Sequence, residues 1–191
     1  MKAQLRLGWL GTLALGCLVA GNATSDVWVW DFPIDESQVK NGPEPDGSTN
    51  SPGKGYGHIE YDSESREFTI RIRFEGLVGD LSKLHVHGPS KPSRSTPRHV
   101  IEFLGPPEIP ETLATTEGVY ETRIPLAATV QEGFITLPAE RILALLIDGH
   151  TYLNVHTTVF GMGEIRGNLG KPAPREQAPR PRIPEIPRRM R

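Results

Sequence analysis

Two histidines separated by one residue, His85 and His87 in the stretch Leu-His-Val-His-Gly-Pro, stand just ahead of a turn signal. Alternate side chains of a β-strand share a face, so the two imidazoles point the same way with their Cα atoms about 6.5 Å apart. So placed, they can reach one ion between them, and imidazole nitrogens suit copper, zinc or nickel without any thiol. A second stretch, Thr-Tyr-Leu-Asn-Val-His-Thr-Thr-Val-Phe at 151–160, follows the same alternation. Tyr152, Asn154, His156 and Thr158 fall on one face, and Leu153, Val155 and Val159 on the other. His156 is therefore also presented away from an apolar core, in polar company.

The competing reading is structural. Histidines on strands also bond carbonyls or cap turns. Glu164 and Arg166, at alternate positions of one strand, could pair with His156 or Asn154 in a polar network that rigidifies the fold without a ligand. His58 and His150 read as ordinary turn or edge residues. Ser90, Ser93 and Ser95 sit in a Pro/Lys/Arg-rich loop with no nucleophile-elbow setting, and the glycines at 53–57 lack the spacing of a phosphate loop.

Strands must carry these residues, and the chain is rich in strand signals. Val27 to Trp30 reads as a first strand, with Trp28 and Trp30 on one face suited to packing beneath a sheet. A Gly/Pro/Asn/Asp/Ser-dense stretch follows, which is loop by composition. In the next hairpin Phe68, Ile70, Ile72 and Phe74 alternate with Thr69, Arg71, Arg73 and Glu75, giving one buried and one wet face. Further strands are expected at 83–87, 100–104, 119–124, 151–159 and 164–169. Only 138–149 looks helical: Pro138 suits the first helical position, Ile142, Leu145 and Leu146 share a face, and Gly149 suits the C-terminal cap. This pattern predicts an all-β fold, an antiparallel Greek-key β-sandwich with one short helix.

The ends have a different composition. Lys2 and Arg6 precede an apolar run to Ala20 and then small residues, which predicts a secretory signal peptide over 1–23 and a chain that is not transmembrane after cleavage. The only cysteine, Cys17, lies in that run. Lipoprotein anchoring at Cys17 is the competing reading; otherwise the exported product has no thiol or disulfide and is secreted or periplasmic. Residues 171–191 carry seven basic and two acidic side chains among many prolines, a disordered Pro/Arg-rich tail that could touch an anionic surface. The body from 24 to 170 carries twelve basic and twenty-one acidic residues, a charge of −9 that argues against nucleic acid as its partner.

The two histidine stretches, with Gly-Met-Gly-Glu-Ile-Arg-Gly-Asn-Leu after the second, resemble the halves of the CHRD domain, a family named for the extracellular protein chordin. The resemblance covers Gly55 to Leu169 and rests on His85, His87, Gly88, Tyr152, Asn154, His156, Thr157, Gly163, Glu164, Arg166 and Gly167. It departs at Met162, where a small residue is usual, and in the long 89–100 segment. It implies an extracytoplasmic all-β CHRD domain over 55–170, preceded at 24–54 by a strand and Gly/Pro-rich loop, and generally without an assigned activity.

More distantly, the order of histidines is similar to the copper ligands and guiding arginine of copper-zinc superoxide dismutases, which share a Greek-key sandwich with an immunoglobulin-like look. By order alone, that similarity implies His85, His87, His99 and His156 as metal ligands and Arg166 as the residue attracting an anion, hence catalytic only in a redox enzyme. That family's zinc cluster and disulfide have no match here, so such an enzyme would be copper-only. The sequence thus leaves three readings: a secreted binding module with a copper or zinc site, a copper-dependent oxidoreductase acting on superoxide, or a metal-free module binding an extracellular protein.

Overall fold

A computed structural model describes residues 26–105, 109–129, 131 and 133–176. The expected signal peptide, Cys17 and most of the basic tail lie outside the described residues. Among the described residues nine strands form one antiparallel sheet: β1 (Val27–Asp35), β2 (Lys54–Asp62), β3 (Glu67–Glu75), β4 (Leu81–His87), β5 (His99–Leu104), β6 (Gly118–Pro125), β7 (Tyr152–Thr157), β8 (Ile165–Asn168) and β9 (Ala173–Pro174). Their order is β5-β4-β7-β8-β1-β2-β3-β6, with the short β9 added against β1. The sheet curls at the β1–β8 junction, where only Asp35 pairs with Arg166. Apolar faces of both halves then meet in one core, which makes the fold sandwich-like.

Alternation is strictest in β3, where Phe68, Ile70, Ile72 and Phe74 are all buried, while Arg71 and Arg73 face outward to Glu121 and Glu75, each at 2.8 Å. From the other half, Leu84, Val86, Leu153, Val155 and Ile165 close the core. The one α-helix among the described residues, α1 (Ala139–Ile147), buries Ile142, Leu145 and Leu146 against it, and the Leu146 carbonyl accepts the Trp30 indole N–H at 3.3 Å. Both Trp28 and Trp30 pack on the core, as their spacing predicts.

Boundaries differ from expectation at several places: β7 ends at Thr157, short of the expected 159, which leaves Val159 exposed, and β8 is Ile165–Asn168, so Glu164 precedes it. Pro138 is the N-cap of α1, extended at ψ 153°, rather than its first helical residue; Gly149 takes the left-handed φ of 74° expected past the helix end. β1 runs through Pro33 to Asp35. Proline is tolerated there because the far side of β1 is laddered only at Trp28, Val29 and Asp35, so its missing N–H breaks no pairing on that side.

Candidate metal centre

Because Leu84 and Val86 point into the core, His85 and His87 occupy the opposite face of β4. Strand pairing then decides their neighbours. On one side β7 sets Asn154 opposite His85, Tyr152 opposite His87 and His156 opposite Lys83, one diagonal step from His85. On the other side β5 sets Glu102 opposite His85 and His99 opposite His87. Strict alternation would put His99 and Glu102, three residues apart, on opposite faces. Register shifts between Leu84 and His85 and between Val86 and His87 leave Phe103 and Val100 as extra residues on β5. The bulge at Val100 brings His99 and Glu102 to the same face.

Four imidazoles meet there. Ring centroids lie 3.9 Å apart for His85 and His99, 4.9 Å for His85 and His156, 4.8 Å for His87 and His99, and 5.8 Å for His85 and His87. One nitrogen from each of His85, His87 and His156 falls within 4.8 Å of the others, and a second such group joins His85 to His99 and Glu102. The structure thus brings together all four histidines singled out from sequence. Glu102 was missed, since nothing in the sequence announces the bulge that turns it toward the cluster.

This face points away from the core, yet His85, His87 and His156 are only 3%, 4% and 6% exposed. Loops cover it. The Tyr152 hydroxyl donates to the Thr96 carbonyl at 2.9 Å and accepts its N–H at 3.1 Å. The same ring stacks on His87 with centroids 5.0 Å apart and planes 9° from parallel. From β8, the Arg166 guanidinium lies over the Tyr152 ring, 3.6 Å from its centroid. Its guanidinium donates to the carbonyls of Lys91, Pro92 and Arg94, to Ser95 Oγ and to Asn168 Oδ1. On the third side the carbonyl of Met162 accepts from the amides of Asn41 and Asn154. Gly163, at φ 110°, is confined to glycine because a Cβ there would fall 2.0 Å from Asn154 Oδ1.

Arg166 stands opposite Asn154 across β7 and β8, yet the side chains of Glu164 and Arg166 bond to groups other than His156 and Asn154. The Glu164 carboxylate, fully buried, accepts from Ser51 Oγ, Val78 N, Gly79 N and Thr157 Oγ1, tying two loops and the end of β7 to the start of β8. His58 is no turn residue either: it sits inside β2, between Asp31 at 2.8 Å and Glu60 at 3.2 Å. His150 is exposed just past α1, as expected.

Burial, and then the neighbouring histidines, push His85 down to about 2 and His87 down to about 3, with the Thr96 backbone opposing the shift at His87. Burial pushes His156 down to about 4 against the Gly161 carbonyl, and lowers His99 against the nearby Glu102. The rings are therefore neutral at physiological pH, the form that ligates metals. His156 Nδ1 donates to the Gly161 carbonyl at 3.0 Å, which leaves its Nε2 as the bare lone pair. That Nε2, both nitrogens of His85 and both of His87 are buried outside close hydrogen-bond geometry, with Glu102 Oε1 3.5 Å from His85 Nε2 and the Thr96 backbone beside His87 as polar neighbours.

Compared with known proteins, residues 34–169 match the family described as the CHRD domain. No curated protein and no solved structure gives a significant match.

Proposed function

The chain belongs to the CHRD domain family, and on that footing we propose that it is an exported binding module whose ligand is a metal ion, copper or zinc. His85, His87 and His156 hold the ion, with His99 as the fourth imidazole at the rim.

One observation carries this reading: five buried imidazole nitrogens outside any close hydrogen bond, gathered on three rings that face one another, with Glu102 at 3.5 Å from His85 Nε2 and the Thr96 backbone beside His87 as polar neighbours. A buried polar atom left unpaired costs roughly 1 to 3 kcal/mol. A purely structural network would satisfy these atoms, as the side chains of Glu164 and Arg166 are satisfied. An ion accepting one lone pair from each of the three rings satisfies three of these nitrogens at once, and an all-nitrogen donor set suits copper and zinc. The Gly161 carbonyl behind His156 and the Tyr152 ring beside His87 are the supports that fix ligand orientation.

Binding is favoured over redox catalysis by the state of Arg166. An arginine that attracts a small anion must keep donors directed at the approach path. Here all three guanidinium nitrogens are engaged within the fold, and the side chain is 1% exposed. Export rests on the leader-like segment 1–23; among the described residues no helix is long and apolar enough to cross a membrane.

Thermal unfolding of the wild type and of His85→Ala, with Cu²⁺ or Zn²⁺ and again with chelator, tests the reading. Metal should raise the Tm of the wild type and leave that of the variant unmoved. Equal loss on substitution in both conditions, with no metal effect on the wild type, would assign the histidines to structure alone.

A further inference from the structure

His85 belongs to two ligand groups at once. Toward the interior it meets His87 and His156; toward solvent it meets His99 and Glu102. Exposure rises steadily along this line. The inner three rings are buried, His99 is half-buried, and the Glu102 side chain is 60% exposed with Oε1 3.5 Å from His85 Nε2. A carboxylate at the open end of a chain of neutral imidazoles is the one formal negative charge in either group of potential ligands. It also offsets Lys83, whose ammonium acts on His85, His99 and His156 from the same face.

Resting on the metal-binding reading, we propose that Glu102 and His99 form an acquisition station at the mouth of the site. They take the ion from solution and pass it, through His85, to the buried His87 and His156. A desolvated three-imidazole site is slow to load directly, because a hydrated cation must shed its water before any donor reaches it. A carboxylate with one imidazole at the rim replaces part of that water first, and His85, in reach of both groups, lets ligands exchange one at a time. The bulge at Val100 builds the station, because it alone puts the two rim residues on the side of the histidines. Arg166 and Tyr152 hold the loop over the other flank, so the β5 side is the entrance.

The test is stopped-flow loading of the metal-free full chain with Cu²⁺ alone, followed by visible absorption, and chelator-driven unloading of the same samples. Glu102→Gln should slow loading and unloading alike, each by about tenfold, with little change in the dissociation constant. Glu140→Gln, which removes an equal charge from the exposed start of α1, should leave both rates as in the wild type. Equal loading rates for Glu102→Gln and wild type would overturn the station while leaving the metal site standing. Faster unloading with unchanged loading would overturn it too, making Glu102 a resident ligand. A wild type that takes up no Cu²⁺ would instead remove the metal-binding reading on which the station rests.

Discussion

His156 donates its Nδ1 proton to the carbonyl oxygen of Gly161 at 3.0 Å, and that bond decides which nitrogen of the ring is free. The carbonyl cannot donate, so the neutral ring must carry its proton on Nδ1 and its lone pair on Nε2. In metal-free protein near pH 7, nitrogen-15 spectra should report His156 protonated at Nδ1 and bare at Nε2. Added Zn²⁺ should move the Nε2 resonance and leave Nδ1 nearly in place. The opposite tautomer would detach His156 from the proposed ligand set.

The metal-free fold should weaken in acid well before its carboxylates titrate. His85, His87 and His156 are held far below the usual 6.5, so the unfolded chain binds more protons than the folded one in the interval between. Stability is then full above about pH 6.5 and falls as pH drops toward 4, each histidine contributing at most about 1.4 kcal/mol per pH unit. Urea denaturation with chelator at pH 7.5, 6 and 5 measures the slope. His87→Ala should flatten it; a wild-type curve level across this range would mean the rings are not buried neutral.

Arg166 should act as a clamp on the loop between β4 and β5. Arg166→Met takes the guanidinium donors from the carbonyls of Lys91, Pro92 and Arg94, of which Lys91 and Arg94 keep the Ser90 hydroxyl, and removes the cation from the Tyr152 ring. The expected loss is about 3 kcal/mol or more. Trypsin should then cut after Arg94 in the folded variant and spare that bond in the wild type. Unchanged protection of Arg94 would show that the loop is held by other contacts.

Glu164 should also matter to the fold while leaving the ligands alone. Its carboxylate collects four donors, two of them the backbone N–H groups of Val78 and Gly79. Glu164→Gln turns one acceptor oxygen into a donor facing donors and should cost about 2 kcal/mol. Metal affinity of the folded variant should stay near that of the wild type, which a titration with Zn²⁺ would check.

Much of this arrangement is legible in the chain because strand alternation is a two-residue code. It sorts Leu84 and Val86 from His85 and His87, and Leu153 and Val155 from Asn154 and His156, and the core follows. Alternation fails where a strand bulges, so the approach of Glu102 could not be read: its parity depends on one extra residue, Val100, chosen by pairing with a distant strand. The roles of Arg166 and Glu164 were hidden for a related reason. Spacing placed both on the last long strand, but their partners at 91–95, 51 and 78–79 come from loops that composition describes only as loops. His58 misled because its glycine neighbours suggest a turn, whereas Gly55 and Gly57 lie inside β2; at Gly57 a Cβ would fall 2.3 Å from the Phe32 ring.

The most direct test of the metal centre is elemental analysis of the chain purified from the extracytoplasmic fraction without added metal or a metal-binding tag. About one copper or zinc per chain is expected, as a single mononuclear site requires, and none in the folded His85→Ala/His156→Ala variant. A metal-free wild type that gains neither metal nor thermal stability when copper or zinc is supplied would contradict it, and would leave the buried imidazoles without their proposed partner.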